Sequence, residues 1–344
     1  LRRAVVPWLS WHDGNKVLVS VTDTSQIAEA RRLACSCARR LGLSETRTGQ
    51  VALVVTELAT NILKHGGGGE ILTSRFDDRD GAGLEVLALD RGRGMADVER
   101  CLQDGYSTAG TPGNGLGAVI RQADQVRIWS SPDHGTAIVA RFVARASATP
   151  GKTQLGAATA PFPGESTNGD GWSFASAVLG HTLLMIDGSG HGIEAARAAQ
   201  CATELFREHV EDACEHLMQR LHRALAPTRG GAVAIARIDA AARTVRYVGV
   251  GNISGTLIDN GSIRHMVSHN GTAGHIAPRI REFTYGFTTD PLVILHSDGV
   301  TTRWDLGSYP GLAAQHPSLI AGVLLRDHRR GRDDATVVAM RAVL

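Results

Sequence analysis

At 344 residues and 43% hydrophobic content, the chain has room for two ordinary domains, each able to bury a core without disulfide or metal staples. Its 36 basic and 34 acidic residues are interspersed and leave a net charge of +2, so no basic stripe marks a nucleic-acid partner. The five cysteines (Cys35, Cys37, Cys101, Cys201, Cys214) are odd in number and hold no C-x-x-C pair, which reads as reduced thiols in a cytoplasmic protein, and no apolar run reaches membrane-spanning length.

Taken in chain order, the hydrophobic pattern predicts a strand over 17–21 and helices over 26–41 and 45–65. Cys35 and Cys37 fall in the first helix as small core residues. Strands over 71–76, 84–90, 126–130 and 136–142 follow, with a short helix over 118–123, an α+β pattern. A stretch rich in Ala, Gly, Thr, Ser and Pro then reads as a flexible linker at 146–165, between domains at 10–145 and 166–344. Beyond it come short β-rich runs at 173–178, 182–186, 233–238, 244–250, 256–258, 292–296 and 336–340. Helical stretches at 193–210 and 214–225 interrupt them, the distribution of a β-sandwich flanked by helices.

Glu57 and Asn61, four apart on the second helix, present a carboxylate and an amide on one face. An amide oxygen can ligate Mg²⁺ carried by a nucleotide, and a carboxylate can deprotonate an attacking hydroxyl. Asp90-Arg91-Gly92-Arg93-Gly94 puts an acceptor-only carboxylate at a strand end, suited to an adenine amino group, beside glycines that admit close backbone approach. Gly110-Thr111-Pro112-Gly113-Asn114-Gly115-Leu116-Gly117 leads into a helix whose N-terminus can hold phosphates. Each alone is an ordinary solvated helix face or turn; their order is the signal.

That order resembles the N, G1 and G2 boxes of the GHKL (Bergerat) ATP-binding fold, over residues 10 to 143. The run Gln103-Asp104-Gly105-Tyr106-Ser107-Thr108-Ala109-Gly110 is similar to the RsbT-like switch kinases of bacterial stress modules. The resemblance implies an N-terminal α/β sandwich binding ATP with Mg²⁺. Glu57 would be the catalytic base, Asn61 the Mg²⁺ ligand and Asp90 the adenine reader. Gly92, Gly94, Gly115 and Gly117 would be the phosphate-side glycines, and Thr136 would bind adenine through water.

In the second half, Asp187-Gly188-Ser189-Gly190-His191-Gly192 follows the apolar run Thr182-Leu183-Leu184-Met185-Ile186. Asp298 follows the run ending in His296-Ser297 and precedes Gly299, and Asp333-Asp334 precedes the strand-like Ala335-Thr336-Val337-Val338. Any one Asp-Gly is a plain turn. Three carboxylate groups at strand ends make a hard-metal site suited to Mg²⁺ or Mn²⁺, and two such ions can hold a hydroxide for in-line attack on phosphorus.

With Gly169-Asp170-Gly171-Trp172, these motifs resemble the SpoIIE/RsbX-like branch of the PPM metal-dependent phosphatases, over residues 166 to 344. The resemblance implies an α-β-β-α sandwich in which Asp187 bridges two metals, Gly188 adds its carbonyl, Asp298 and Asp333 complete the second site, and Asp170 supports the first through water. Asp334 could instead hold an additional ion. Ser189 stands where the animal-type pattern has a proton-donating histidine, and no arginine is placed to grip phosphate, which leaves the general acid open. Asn252, His275 and Thr301-Thr302-Arg303-Trp304 also look RsbX-like, with His275 read as a loop residue, Trp304 as packing and the basic run 326–332 as a solvated surface.

Together these readings predict a phosphoserine/phosphothreonine phosphatase fused to an ATP-binding, kinase-like domain. It would act on a phosphorylated STAS-type antagonist in bacterial sigma-factor or stress signalling, with neither nucleic acid nor membrane as partner. The alternative is an ATP-sensing, partner-binding regulator whose N-terminal domain performs no phosphotransfer.

Overall fold

The computed structural model describes residues 8–10, 17–98, 115–146 and 153–343. They form two bodies: one from the described residues of 15–149 and 305–326, the other from those of 1–14, 150–304 and 327–344. The first strand, β1 (Trp8–Ser10), is spent on the second body.

The first body contains β2 (Val17–Val21), α1 (Thr24–Arg40), α2 (Glu45–Asn61), β3 (Gly69–Asp78), β4 (Gly81–Asp90), α3 (Gly115–Gln122), β5 (Gln125–Ser131) and β6 (Gly135–Arg145). The strands make one antiparallel sheet in the order β2-β3-β4-β6-β5. α1 starts in a capping box: Asp23 Oδ1 accepts the Ser25 N–H at 2.8 Å, and Gln26 Oε1 accepts the Asp23 N–H at 3.0 Å. The helices lay Ala30, Ala34, Val51, Val54, Val55 and Leu58 against Ile71, Leu84, Val86, Ala88 and Ile138. Because side chains alternate along a strand, Glu85, Leu87 and Leu89 of β4 point to the opposite face. They are nevertheless buried, and the residues beside them belong to 305–326. A β-carbon on Gly322 would stand 2.7 Å from Leu87 Cδ2, so at Gly322 the helix Pro317–His328 packs directly on the side chains of Leu87 and Leu89. Ser318 donates to Glu85 Oε2 at 2.8 Å, and the Trp129 Nε1–H donates to Pro310 O at 2.9 Å.

The second body is a sandwich. Its elements are β1, β7 (Thr153–Ala160), β8 (Asp170–Ala177), β9 (Gly180–Gly188), α4 (Ile193–His209), α5 (Cys214–Ala224), β10 (Gly231–Asp239), β11 (Thr244–Val250), β12 (Ser254–Asp259), β13 (Ser262–Met266), β14 (Phe283–Gly286), β15 (Leu292–His296) and β16 (Ala335–Ala342). They build one sheet in the order β1-β8-β9-β10-β11-β14 and another in the order β13-β12-β15-β16-β7. β9 is apolar on both faces because both are covered. Leu183 and Met185 face the inter-sheet core with Trp172, Phe174, Val293, Leu295, Val338 and Met340. Leu184 and Ile186 face α4 and α5, against Ala198, Ala202, Phe206, Leu217 and Leu221.

The structure corrects the expected domain boundaries in three places. The expected linker at 146–165 contains β7, paired residue for residue with β16 from Thr153↔Ala342 to Ala160↔Ala335. Trp8–Ser10 pairs with β8. Residues 305–326, placed by the sequence in the second domain, belong to the first body.

Candidate active sites

In the first body, α2 carries Glu57 and Asn61 to the start of α3. A β-carbon on Gly115 would stand 3.0 Å from Glu57 Oε2 and 3.6 Å from Asn61 Oδ1, so the bare glycine lets the helix N-terminus abut the carboxylate–amide pair. After Asn61 the helix widens into the π-turn Ile62–Gly66, whose last residue also must be glycine: a β-carbon there would stand 2.5 Å from Asp90 Cβ.

Asp90, at the end of β4, is half-buried, and its Oδ1 accepts the Gly92 N–H at 2.8 Å. Thr136 lies opposite it in the ladder. Thr136 Oγ1 is 2.9 Å from Ser130 Oγ, which accepts the Met95 N–H at 2.7 Å. Burial raises the Asp90 carboxyl above its ordinary value, and the Gly92 N–H, the Arg326 cation, the Thr136 N–H and His65 work against that rise. Gly94 has a left-handed φ of 69° and no room for a side chain beside Ser131 O. Gly92 packs on His65 O, and Gly117 is buried within α3. The structure thus brings Glu57, Asn61 and Gly115 together, and Asp90, Gly92 and Thr136 together. The run from Gln103 to Asn114 lies outside the described residues.

Sequence reasoning missed one residue here. Arg326, expected on a solvated surface, is buried and donates from Nη1 to Asp90 O at 2.5 Å and from Nη2 to His134 O at 2.8 Å. Nothing in a run of basic residues distinguishes the one whose backbone turns it inward.

In the second body, strand alternation assembles the carboxylates. Trp172 and Phe174 face the inter-sheet core, so Asp170 at the head of β8 does too; Leu183 and Met185 aim Asp187 the same way; Val338 and Met340 do so for Thr336 and Asp334. Asp170 and Asp187 are direct partners across β8 and β9. Asp170 Oδ2 accepts the Ser297 hydroxyl at 2.7 Å, and Ser297 Oγ accepts the Thr336 N–H at 3.0 Å. Asn252 Nδ2 donates to Asp298 Oδ2 at 2.7 Å. Asp334 Oδ1 accepts the Phe162 N–H at 2.8 Å, and Asp333 Oδ1 accepts the Asp334 N–H at 2.9 Å. Gly188 packs tightly on Ala195 O, which ties the Asp187 loop to α4.

Crowding of like charges shows in the acidities. Burial, Asp334 and Asp333 raise Asp170 to about 7, against the pull of the Ser297 and Thr336 hydrogen bonds. Burial and then Asp170, Asp298, Asp333 and Asp334 push Asp187 well above the carboxylate range. Asp170 Oδ1 and Asp334 Oδ2 are buried and accept no hydrogen bond of ordinary geometry. Acceptor-only oxygens that repel one another, two of them left over, fit a hard divalent cation.

The histidines near this cluster have other engagements. His191 stacks on Phe162 at 4.4 Å with Nδ1 3.3 Å from Glu165, and His275 is exposed. Trp304, expected as packing, also donates to His296 Nε2 at 3.2 Å, while His296 Nδ1 lies 2.9 Å from Ser297 O. Burial lowers His296 to about 4, consistent with a neutral ring that donates from Nδ1 and accepts at Nε2. It thereby holds the turn carrying Ser297 and Asp298. A guanidinium also reaches the Asp187 loop: Arg229 Nη1 would stand 3.1 Å from a β-carbon on Gly190.

Residues 20–142 match the histidine kinase-like ATPase domain family, and residues 180–343 match the Stage II sporulation protein E (SpoIIE) family. The serine/threonine-protein kinase RsbT of Bacillus subtilis (strain 168) is 35% identical over 114 residues, covering 33% of this chain and 86% of RsbT. Among solved structures, one described as "The bacterial stressosome: a modular system that has been adapted to control secondary messenger signaling" is 25% identical with a TM-score of 0.52, covering 55% of this chain and 99% of its own. RsbX in complex with magnesium is 19% identical with a TM-score of 0.49, covering 55% and 95%.

Proposed function

We propose, for a chain that belongs to the RsbT family of histidine kinase-like ATPase domains and carries a SpoIIE-type PPM phosphatase domain behind it, that it dephosphorylates phosphoserine or phosphothreonine on a STAS-type antagonist protein. The ATP-binding body phosphorylates the same class of partner, so that opposing reactions share one chain in sigma-factor or stress signalling. The observation that carries the reading is the convergence of Asp170, Asp187, Asp298, Asp333 and Asp334, with Asp170 Oδ1 and Asp334 Oδ2 accepting no hydrogen bond of ordinary geometry.

Asp187, the Gly188 carbonyl, Asp298 and Asp333 would hold two Mg²⁺ or Mn²⁺ ions, with Asp170 acting through water and Asp334 available to an additional ion. Such ions, when bound, supply a hydroxide at neutral pH and neutralise the phosphate. The chain's own work is positioning. Ser297 fixes one oxygen of Asp170 and leaves the other turned to the cluster, Asn252 orients Asp298, and the Phe162 N–H fixes Asp334. In the ATP-binding body, Glu57 would take the proton of the acceptor hydroxyl, Asn61 would hold the Mg²⁺ of the nucleotide, and Asp90 would accept from the adenine amino group with Thr136 assisting through water. Gly92, Gly94, Gly115 and Gly117 let backbone approach the nucleotide.

The test is Mn²⁺-dependent phosphate release from a serine-phosphorylated STAS-domain protein. Intact chain releases phosphate, and Asp187→Asn and Asp298→Asn lose at least about a hundredfold in rate. Failure of the intact chain on every STAS substrate would defeat the phosphatase reading. For the first body, Glu57→Gln retains ATP binding and abolishes transfer to the partner; if wild type itself transfers nothing while binding ATP, the body is a sensor.

A further inference from the structure

Arg326 is 5% exposed despite lying at the head of a basic run, and it reaches two backbone carbonyls at once, Asp90 O and His134 O. Those carbonyls bracket one corner of the first body. Asp90 ends β4 with its carboxylate held by the Gly92 N–H. His134 sits in the turn between β5 and β6, directly before Gly135 and Thr136. A β-carbon on Gly135 would stand 2.1 Å from Asp90 O, and Thr136 is the ladder partner of Asp90, so the strand end and the turn touch just where Arg326 grips them. A guanidinium suits this task because its planar fork offers several donors in fixed geometry, and two carbonyls held by one rigid group cannot move independently.

We propose that Arg326 is a positioning residue for base recognition: by clipping the Asp90 and His134 carbonyls together, it sets the spacing between the Asp90 carboxylate and Thr136 to which an adenine ring must fit. The proposal rests on the reading of the first body as an ATP-binding domain. Its consequence is that the base-binding corner is completed by residues 305–326, which lie in sequence beyond Asp298. Asp90 itself keeps the contact with the ligand; Arg326 acts through it. The cation also opposes the burial that would protonate the Asp90 carboxyl, favouring the acceptor form an amino group requires.

The experiment is calorimetric titration of the intact chain with ATP and with GTP in the presence of Mg²⁺, for wild type, Arg326→Ala, Arg326→Lys and Ser318→Ala. Ser318 lies in the same helix and donates to Glu85, so its loss loosens that segment without touching the carbonyls that Arg326 holds. Arg326→Ala is expected to weaken ATP about tenfold and GTP far less, collapsing the ATP-to-GTP preference. Arg326→Lys recovers part of the preference, since an ammonium can bond one carbonyl well but not both in a fixed fork. Ser318→Ala lowers the melting temperature and leaves the preference intact. An unchanged preference in Arg326→Ala overturns the proposal, as does an equal collapse in Ser318→Ala, which would make the segment's docking the cause. Should Arg326→Ala not fold, Arg326→Lys decides by whether the preference drops. A wild type that binds no adenine nucleotide overturns the ATP-binding reading and the proposal together, a result distinct from binding without Arg326 dependence.

Discussion

Five carboxylates held at one end of a sandwich repel one another, and the chain supplies few internal donors to offset that repulsion. Asp170 has Ser297, Asp298 has Asn252, and Asp334 has the Phe162 N–H. A divalent ion bound there stabilises the folded chain by mass action, by about 2.7 kcal/mol at a hundredfold excess over its dissociation constant. Scanning calorimetry with and without Mn²⁺ should therefore show a melting temperature several degrees higher with the ion in wild type. The gain should nearly vanish in Asp187→Asn, and an ion-independent melting temperature in wild type would count against the cluster as a metal site. Asp259 is the opposite kind of carboxylate. Burial would raise it, but the N–H and hydroxyl groups of Thr289 and Thr288 outweigh burial and hold it down at about 2. Its folded value lies below its unfolded one, so its contribution is present above about pH 4 and is lost as pH falls towards 2. Asp259→Asn should cost about 1–2 kcal/mol in urea unfolding at pH 7, with the gap to wild type narrowing between pH 4 and pH 2.5. At this scale, legibility followed contiguity. Asp187, Asp298 and Asp333 could be singled out because each sits beside glycine or a second aspartate at the edge of an apolar run, and Asp90 because it closes such a run two residues before Gly92. The partners that orient them (Ser297 on Asp170, Asn252 on Asp298) meet only when distant strand ends come together.

The elements with strong periodicity, α1, α2, α4, α5 and β15, could be read within a few residues of their ends, because their apolar faces are wide and, in α1 and α2, Asp23 and Ser44 cap the N-termini. β7 could not. Thr153-Gln154-Leu155-Gly156-Ala157-Ala158-Thr159-Ala160 has one large apolar residue, and by composition it is a linker. It is a strand because β16 offers a full-length ladder and because its small side chains pack where larger ones would not fit, with Ala158 fully buried. The short strands β1, β13 and β14 escaped notice for a related cause: tertiary pairing makes them, with little local pattern to announce it. A linker would tolerate a charge, whereas a buried strand does not. Ala158→Asp should thus destabilise the second body by more than about 3 kcal/mol, read as loss of Mn²⁺-dependent phosphatase activity at temperatures where wild type is stable. Wild-type activity and melting temperature in that variant would return the segment to the status of a tether.

For the molecule as a whole, the consequential departure from the sequence reading is that the first body is not one continuous stretch of chain. Residues 305–326 cover the face of its sheet that α1 and α2 leave open, and they join a buried ionic network there. Arg141, 1% exposed, donates to Glu85 Oε2 at 2.7 Å and to Asp78 Oδ2 at 3.0 Å, and Ser318 donates to the same Glu85 oxygen at 2.8 Å. The Arg141 guanidinium lies 4.3 Å from the centre of the Phe76 ring, and the His316 ring is buried beside Asp78. Such a network is weak evidence of net stability, because desolvating its charges offsets their attraction, but removing one member leaves the others buried without full compensation. Sequence alone could not expose it, since its members are scattered among two strand interiors, a strand end and a helix start, and only the sheet register brings Glu85 opposite Arg141. Glu85→Ala should accordingly cost about 3–5 kcal/mol, whereas Glu85→Gln, which keeps an acceptor for Ser318 and Arg141, should cost markedly less. The same reasoning predicts the behaviour of a fragment cut at the expected boundaries, residues 10–145. Without 305–326 it presents Leu87, Leu89 and Trp129 to water and should bind a hydrophobic dye and melt well below the corresponding transition of the intact chain. If the fragment were as stable as the intact chain and silent to the dye, the open face would need no cover, and residues 305–326 would be a passenger on the sheet rather than part of its core.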